Sequence, residues 1–262
     1  MSAGFTIARE GATEWLRLDG AGRLNALDLA AIDALNAYFC ALPARPEIRC
    51  VLIEGAGKDF CAGLDLSQWR GVLDRNSAAE VLDIQDRAAG LIRAMRAAPQ
   101  PLIGLAQGAA AGIGFALLLA CDVRFGAPDL RMNVASVRIG LSGADVGISF
   151  HLPRIVGEGR AAELMLTGRP IGAEEALAAG LLAGLVDKTA LEERGRQAAM
   201  EILRNAPLGV RMTKAALAAA APSLESAMAI EDRQQVLLVV TDDHREAVTA
   251  FFEKRAPAFT GR

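Results

Sequence analysis

Two glycine-containing turns are the parts of this 262-residue chain whose residue types and spacing suggest chemistry. One lies within residues 61–66 (CAGLDL), the other within residues 108–114 (GAAAGIG), and each follows a strand-like apolar run. Glycine allows a tight turn and close approach of a ligand to backbone N–H groups, and a helix start adds unpaired N–H donors. Two such turns could aim one N–H each at a single oxygen, forming an oxyanion hole. The same pattern also occurs in ordinary strand-to-helix turns, so both interpretations stay open.

Other site classes are disfavoured by the sequence. The spacing of Gly108, Gly112 and Gly114 matches neither the dinucleotide fingerprint nor a phosphate loop ending in Gly-Lys-Ser/Thr. Four cysteines without CxxC pairing and only two histidines argue against disulfides and a histidine-rich metal site. The net charge of −3 provides no basic field for nucleic acid or anionic membranes. The uncharged residues 97–121 are interrupted by proline and glycine, which predicts a buried strand, turn and helix rather than a membrane span.

The elements that would position these turns follow from hydrophobic periodicity and turn signals. Strands are predicted at residues 5–9, 13–18, 49–54, 101–106, 123–126 and 130–134. Helices are predicted at residues 28–42, 78–97, 115–121, 145–156, 158–167, 173–179, 189–205, 207–220, 224–239 and 242–255. Strand–helix–strand units followed by helices predict an α/β protein with a mainly parallel sheet and a helical carboxy-terminal part.

Several motifs in the right order, spread over nearly the whole chain, resemble the crotonase superfamily, also called the enoyl-CoA hydratase/isomerase family. They lie at residues 23–27 (RLNAL), 60–66 (FCAGLDL), 107–122, 164–168 (LMLTG), 176–182 and 251–255 (FFEKR). The resemblance implies a crotonase (ClpP-like) spiral of βαβ units with a C-terminal helical trimerisation region. It also implies a core with a CoA-ester site over residues 1–195 and a helical region over residues 196–262.

The resemblance further implies a site for an acyl-CoA thioester. The backbone N–H groups of Leu64 and Ile113 would form the oxyanion hole, and both donors are independent of side-chain type. The residues that would contact the CoA ester are Ala62, Gly63, Leu64, Asp65, Leu66 and Lys254. Lys254 is equally consistent with a solvated lysine at a helix end.

The expected partners follow from the same resemblance. Coenzyme A would be part of the substrate, with no further cofactor and no metal. The chain would assemble as a homotrimer or a dimer of trimers, without nucleic-acid or membrane partners. The amino terminus shows no secretion signal, which predicts a cytoplasmic protein.

One departure from the family pattern affects the reaction. Hydratases of the family use two glutamates, and the matching positions here are Ala116 and Ser136. Neither residue exchanges a proton as a carboxylate does, so paired-glutamate hydration is disfavoured. Asp145, within residues 140–147 (GLSGADVG), resembles the proton-transferring Asp of the dienoyl-CoA isomerase branch, although this chain carries one extra residue there. Isomerase-type proton transfer by Asp145 is therefore the favoured prediction.

Alternative interpretations remain at this stage. Asp145 could instead serve only as a helix N-cap, because Asp is a favoured capping residue. The chain could be a non-catalytic acyl-CoA-binding homologue, since both glutamates are missing. Thioester hydrolysis or decarboxylation is a third possibility, because family members achieve these reactions with other residue sets.

Overall fold

The computed structural model describes residues 4–20, 24–65, 77–219 and 222–262. The strands are β1 (Phe5–Glu10), β2 (Thr13–Leu18), β3 (Cys50–Gly55), β4 (Leu102–Ala106), β5 (Ala109–Ala111), β6 (Val123–Gly126), β7 (Arg131–Asn133), β8 (Ile171–Gly172) and β9 (Gly184–Leu185). The helices are α1 (Leu29–Ala41), α2 (Ala78–Ala97), α3 (Ile113–Ala120), α4 (Ile148–Val156), α5 (Glu158–Thr167), α6 (Ala173–Ala178), α7 (Leu191–Leu203), α8 (Pro207–Ala219), α9 (Leu224–Val239) and α10 (Asp242–Glu253).

Two sheets organise the described residues. The larger has the strand order β1-β2-β3-β4-β6-β9, in which β1 and β2 pair antiparallel and the other pairs are parallel. The smaller has the order β5-β7-β8, in which β5 and β7 pair parallel and β7 and β8 antiparallel. Every residue of β3 and β4 is buried, as expected for parallel strands covered on both faces. The predicted α/β class with a mainly parallel sheet is confirmed.

Local capping signals explain where the helices against one face begin. The side chain of Asp28 accepts a hydrogen bond from the Ala31 N–H at the start of α1. Ser77 and Glu80 form a capping box at the start of α2. These two helices pack against each other, and α3, whose residues are all buried, belongs to the same apolar cluster.

The other face of the sheet is covered by α7. Leu191 and Ala198 of this helix pack with Leu52 and Leu105 in one apolar cluster. Gly195 permits this contact, because a Cβ there would lie 2.6 Å from the Leu52 side chain. The division expected between residues 195 and 196 falls within this helix and stays a prediction.

The carboxy-terminal helices α9 and α10 carry large apolar side chains that are exposed to solvent in the single chain. The exposed ones include Leu224, Val236, Leu237, Val239, Phe251 and Phe252. Exposed apolar side chains, where they form a large patch, are typical of protein–protein contact sites. None of the helices in the described ranges combines the length and hydropathy needed to cross a bilayer.

Candidate active site

In the first turn, the N–H of Leu64 points away from Leu27, the residue with which Leu64 pairs. Leu27 and Leu64 form an isolated parallel bridge. The Leu27 N–H donates to the Gly63 carbonyl at 2.8 Å, and the Asp65 N–H donates to the Leu27 carbonyl at 2.8 Å. In this pattern the backbone groups on either side of Leu64 bond to Leu27, so the N–H of Leu64 itself points to the opposite side.

The second turn leads directly from β5 into α3. Gly112 lies between them with φ 53°, a conformation that favours glycine. Ile113 is the first residue of α3, so its N–H is one of the donors without a partner inside the helix. The positive end of the helix dipole lies at the same place. The sequence predicted this helix from residue 115, two residues too late, because the glycines conceal its first turn.

The two turns are in direct contact. The Cys61 N–H donates to the Ala109 carbonyl, and the Ala111 N–H donates to the Cys61 carbonyl, both at 3.0 Å. A Cβ on Gly63 would lie only 2.8 Å from the Ala111 carbonyl oxygen. A Cβ on Gly114 would overlap the Cys61 carbonyl oxygen. Glycine is therefore required at both positions for the turns to approach this closely.

Neither of the two expected donors is engaged by another group. Throughout the described ranges, no backbone or side-chain acceptor takes a hydrogen bond from the N–H of Leu64 or of Ile113. An N–H without a protein acceptor is uncommon in a native structure unless water or a ligand binds it. Two such donors therefore lie on touching turns, and each is available to a ligand.

A buried asparagine holds the first turn, and sequence reasoning treated it only as part of a motif. The side-chain amide of Asn25 donates to the carbonyl oxygens of Ala56 and Asp59, at 2.9 and 2.7 Å. The Asp59 carboxylate in turn accepts from the Ala109 N–H at 2.8 Å, which ties the first turn to β5. The signal that could have revealed this role is a short polar residue able to adopt φ 56° within an apolar segment.

The two positions that carry glutamate in hydratases lie beside the second turn. Ala116 is fully buried on α3, and its N–H donates to the Gly112 carbonyl. Ser136 lies in the 3₁₀ helix that follows β7, three residues after Asn133, whose carbonyl accepts a hydrogen bond from the Gly112 N–H of the second turn. Ser136 is 8% exposed, and its buried Oγ has no hydrogen-bond partner within the described ranges. An orphaned hydroxyl at this depth requires a functional or structural reason.

Asp145 is not the N-cap of α4, so the capping interpretation is wrong. The cap is Gly147, with φ 82°, and Val146 also has a positive φ of 37°. This left-handed turn delays the helix to Ile148 and carries the Asp145 side chain away from the first helical N–H groups. The Asp145 carboxylate instead accepts a hydrogen bond from the side-chain amide of Gln85 on α2, at 2.6 Å.

Comparison with known proteins decides the family. A family model described as "Enoyl-CoA hydratase/isomerase" matches residues 12–262. The chain belongs to the enoyl-CoA hydratase/isomerase family. It is 34% identical over 217 residues to the 1,2-epoxyphenylacetyl-CoA isomerase of Escherichia coli K12, covering 82% of each chain. It is 32% identical over 244 residues to the (E)-benzylidenesuccinyl-CoA hydratase of Thauera aromatica, covering 91% of each.

Solved structures agree with this assignment. A crystal structure of enoyl-CoA hydratase from Bacillus anthracis superposes with a TM-score of 0.94 at 30% identity, covering 99% of this chain and 100% of that one. The resemblance inferred from the motifs and the crotonase fold are thereby confirmed. This member of the enoyl-CoA hydratase/isomerase family is an acyl-CoA enzyme.

The residues expected to contact the CoA ester of this family member occupy different surroundings. Ala62 is half-buried and Asp65 is buried on the first turn, whereas Leu66 lies outside the described residues. Lys254 is exposed at the C-terminal end of α10, in a left-handed conformation with φ 54°. No contact within the described ranges of this monomer joins Lys254 to the first turn.

Thiol and metal chemistry gain no support at this site. Burial raises the pKa of the Cys61 thiol to about 12, which keeps it protonated and poorly nucleophilic. Among the residues that the structure describes, no group of three His, Cys, Asp or Glu side chains is placed to hold a metal ion. Within the described part of the chain, the groups that remain as candidates to act on a substrate are backbone N–H donors, the Ser136 hydroxyl and the Asp145 carboxylate.

Proposed function

We propose that this enzyme moves a proton within the acyl group of an acyl-CoA thioester, an isomerase-type reaction in which Asp145 takes and returns the proton. The observation that carries the proposal is the pair of unengaged N–H groups, those of Leu64 and Ile113, on two touching turns. These donors would bind the thioester oxygen and stabilise the negative charge that develops on it as the proton leaves.

The reaction needs one carboxylate. Asp145 removes a proton from a carbon of the unsaturated acyl group, and the electron pair delocalises onto the thioester oxygen as an enolate. The carboxylic acid so formed returns the same proton to a different carbon, and the double bond shifts. Hydration would also require activation of water, for which Ala116 and Ser136 offer no carboxylate.

A chain of contacts supports a path from the loop that carries Asp145 to the proposed hole. A Cβ on Gly143 would lie 3.4 Å from Cγ1 of Val134, the residue that follows β7. β7 in turn pairs with β5, which leads into the second turn. The Asp145 side chain is half-buried and oriented by Gln85, so it is both positioned and accessible.

The remaining expectations form part of the same proposal. Ala62, Gly63, Leu64, Asp65 and Leu66 would contact the CoA part of the substrate, and no other cofactor would be needed. Lys254 would contact a CoA phosphate from a neighbouring subunit of a homotrimer. The exposed apolar side chains of α9 and α10 support such an assembly, because subunit contacts would bury them.

The names of the relatives do not choose between isomerisation and hydration. A relative named an isomerase and one named a hydratase match the chain at similar identity. The side chains of this chain favour isomerisation, because Ala116 and Ser136 are not carboxylates and Asp145 is the one candidate carboxylate at the described part of the site.

Replacing Asp145 with Asn tests the proposal most directly. The Asn side-chain oxygen can still accept from Gln85, so the loop keeps its position while the proton acceptor is lost. We expect kcat for conversion of a 3-enoyl-CoA, such as cis-3-hexenoyl-CoA, to the conjugated isomer to fall about 10²–10⁴-fold. The dissociation constant for the saturated hexanoyl-CoA should change little.

The matched control is Gln85→Leu, which removes the hydrogen bond and keeps the carboxylate; its kcat loss should be much smaller than that of Asp145→Asn. Unchanged turnover in Asp145→Asn would remove this residue from the mechanism. A wild-type protein that binds hexanoyl-CoA but converts neither the 3-enoyl-CoA nor crotonyl-CoA would favour the non-catalytic alternative.

A further inference from the structure

A cavity lies at the opposite end of α3 from the two glycine-containing turns. Its volume is about 500 Å³, and it is lined by side chains of α2, α4 and α8 together with the end of α3. Leu119, which lines it, follows Ile113 by six residues, about 9 Å along the helix axis. The cavity is therefore separate from the two turns.

The charge around this cavity is strongly unbalanced. Four arginines line it, Arg93, Arg96, Arg124 and Arg154, together with a single carboxylate, that of Asp122. Asp122 is already neutralised, since it pairs with Arg96 at 2.9 Å and, outside the lining, with Lys214 at 2.8 Å. Among the described residues, no ion pair neutralises the other three arginines.

The three remaining guanidinium groups bond only to neutral acceptors. Arg124 donates to the carbonyls of Cys121 and Leu181. Arg154 donates to the Phe150 carbonyl and stacks 3.7 Å from the Phe150 ring centroid. Arg93 makes one long bond, of 3.4 Å, to a backbone carbonyl of its own helix. Within the described ranges, none of the three contacts a carboxylate.

The pKa of a histidine that lines the cavity is lowered by burial and by this positive charge. Burial, together with Arg96, Arg124 and Arg154, lowers the pKa of His151 to about 4. The imidazole is therefore neutral near pH 7, and it can donate or accept a hydrogen bond without adding charge.

We propose that this cavity binds a small organic anion that carries carboxylate or phosphate groups. The planar forks of unpaired arginines match the oxygen pairs of such groups. The volume lies in the range of small-molecule sites. Apolar wall residues, among them Ile92, Leu119 and Val146, would hold the hydrocarbon part of the ligand.

The test uses titration calorimetry of the full chain at pH 7.5 with two probes, inorganic phosphate and glutarate. Arg93→Gln/Arg154→Gln removes two guanidinium groups that are exposed and hold no ion pair, so the fold should survive. We expect at least a tenfold increase in the dissociation constant, equivalent to about 1.4 kcal/mol. Arg233→Gln, an exposed arginine of α9 outside the cavity, removes one positive charge and should leave the dissociation constant unchanged.

Nuclear magnetic resonance locates the bound anion independently of affinity. The chain has two histidines, and His244 does not line the cavity. In the wild type, either probe should shift the imidazole signals of His151 and leave those of His244 in place. In Arg154→Gln the same shift should require a higher concentration of the probe.

Three results would overturn the inference. The first is the absence of a His151 shift with both probes, and the second is binding by the double variant that equals wild type. The third is a change in oligomeric state in the double variant without any anion binding by the wild type, which would assign the arginines to a contact with a second copy.

Discussion

The two sites proposed at the ends of α3 would bind negative charge by different physical means. At the amino-terminal end the donors are main-chain N–H groups, held by glycine turns and by the pairing of Cys61 with β5. At the carboxy-terminal end the donors are guanidinium groups from α2, α4 and β6. A backbone donor exists whatever the side chain is, whereas a guanidinium exists only where the residue is arginine. The first end should tolerate side-chain changes that preserve the turns, and the second should depend on residue type.

Between these ends the proposed reaction depends on side chains. Ala116 and Ser136 stand where hydratases of the family carry two glutamates, and in the proposal Asp145 supplies the one carboxylate. A fold that keeps its backbone donors can therefore host different reactions.

The largest effect in the comparison should come from Gly63→Ala. The added methyl group would meet the Ala111 carbonyl oxygen at 2.8 Å and force the two turns apart. We expect kcat/KM for the 3-enoyl-CoA to fall about 100-fold, the loss typical of removing one oxyanion-hole donor. Gly57→Ala is the control, since Gly57 also has a positive φ but nothing within 4 Å of the added methyl group. Equal losses in both variants would argue against convergence of the turns.

Ser136→Ala should separate stability from turnover. Removing a buried hydroxyl without a partner should raise the free energy of unfolding of the ligand-free enzyme by about 1 kcal/mol. If the hydroxyl contacts the acyl group, kcat/KM falls in the same variant. Urea unfolding and steady-state kinetics measure the two quantities, with the exposed Ser149→Ala as control. A loss of stability would show that the hydroxyl is engaged within the protein.

His151, which lines the cavity at the carboxy-terminal end of α3, should make the stability of the protein depend on pH. The pKa of His151 is about 4 in the folded protein, against an ordinary value of 6.5, so the unfolded chain binds its proton more readily. The contribution of this residue is therefore present above pH 6.5 and is lost as the pH falls from about 6.5 towards 4. His151→Asn should flatten this part of the curve of unfolding free energy against pH. His244→Asn should leave the slope unchanged.

The smallest effect should come from Ile113→Val, which changes a side chain at the hole and keeps the donor. We expect kcat/KM to change less than about fivefold and the free energy of unfolding to fall by about 0.5–1.5 kcal/mol, the usual cost of Ile→Val in a core. Kinetics and urea unfolding check both. A loss of activity as large as that of Gly63→Ala would mean that the Ile113 side chain, rather than its N–H, determines kcat/KM.

Signals confined to a few neighbouring residues were sufficient for much of the fold. The bounds of α2 agree with the prediction, because Ser77 and Glu80 cap its start and its apolar positions repeat along one face. β1 and β2 agree within a residue, since alternation and the turn at Gly11 are local. The motifs around Gly63 and Gly112 indicated the family for the same reason, and the two donors that they suggest stay a prediction.

Features that depend on distant partners required the tertiary structure. β5, β8 and β9 are two or three residues long and exist only through pairing with strands elsewhere in the chain. The contact between Gln85 and Asp145 joins residues 60 positions apart, and the left-handed turn at Gly147 overrode the capping preference of Asp. The arginine-lined cavity likewise unites side chains from separate elements. Backbone preferences act between residues that are close in sequence and can be inferred from it. Which distant side chains line one cavity is determined by the packing of the elements that carry them.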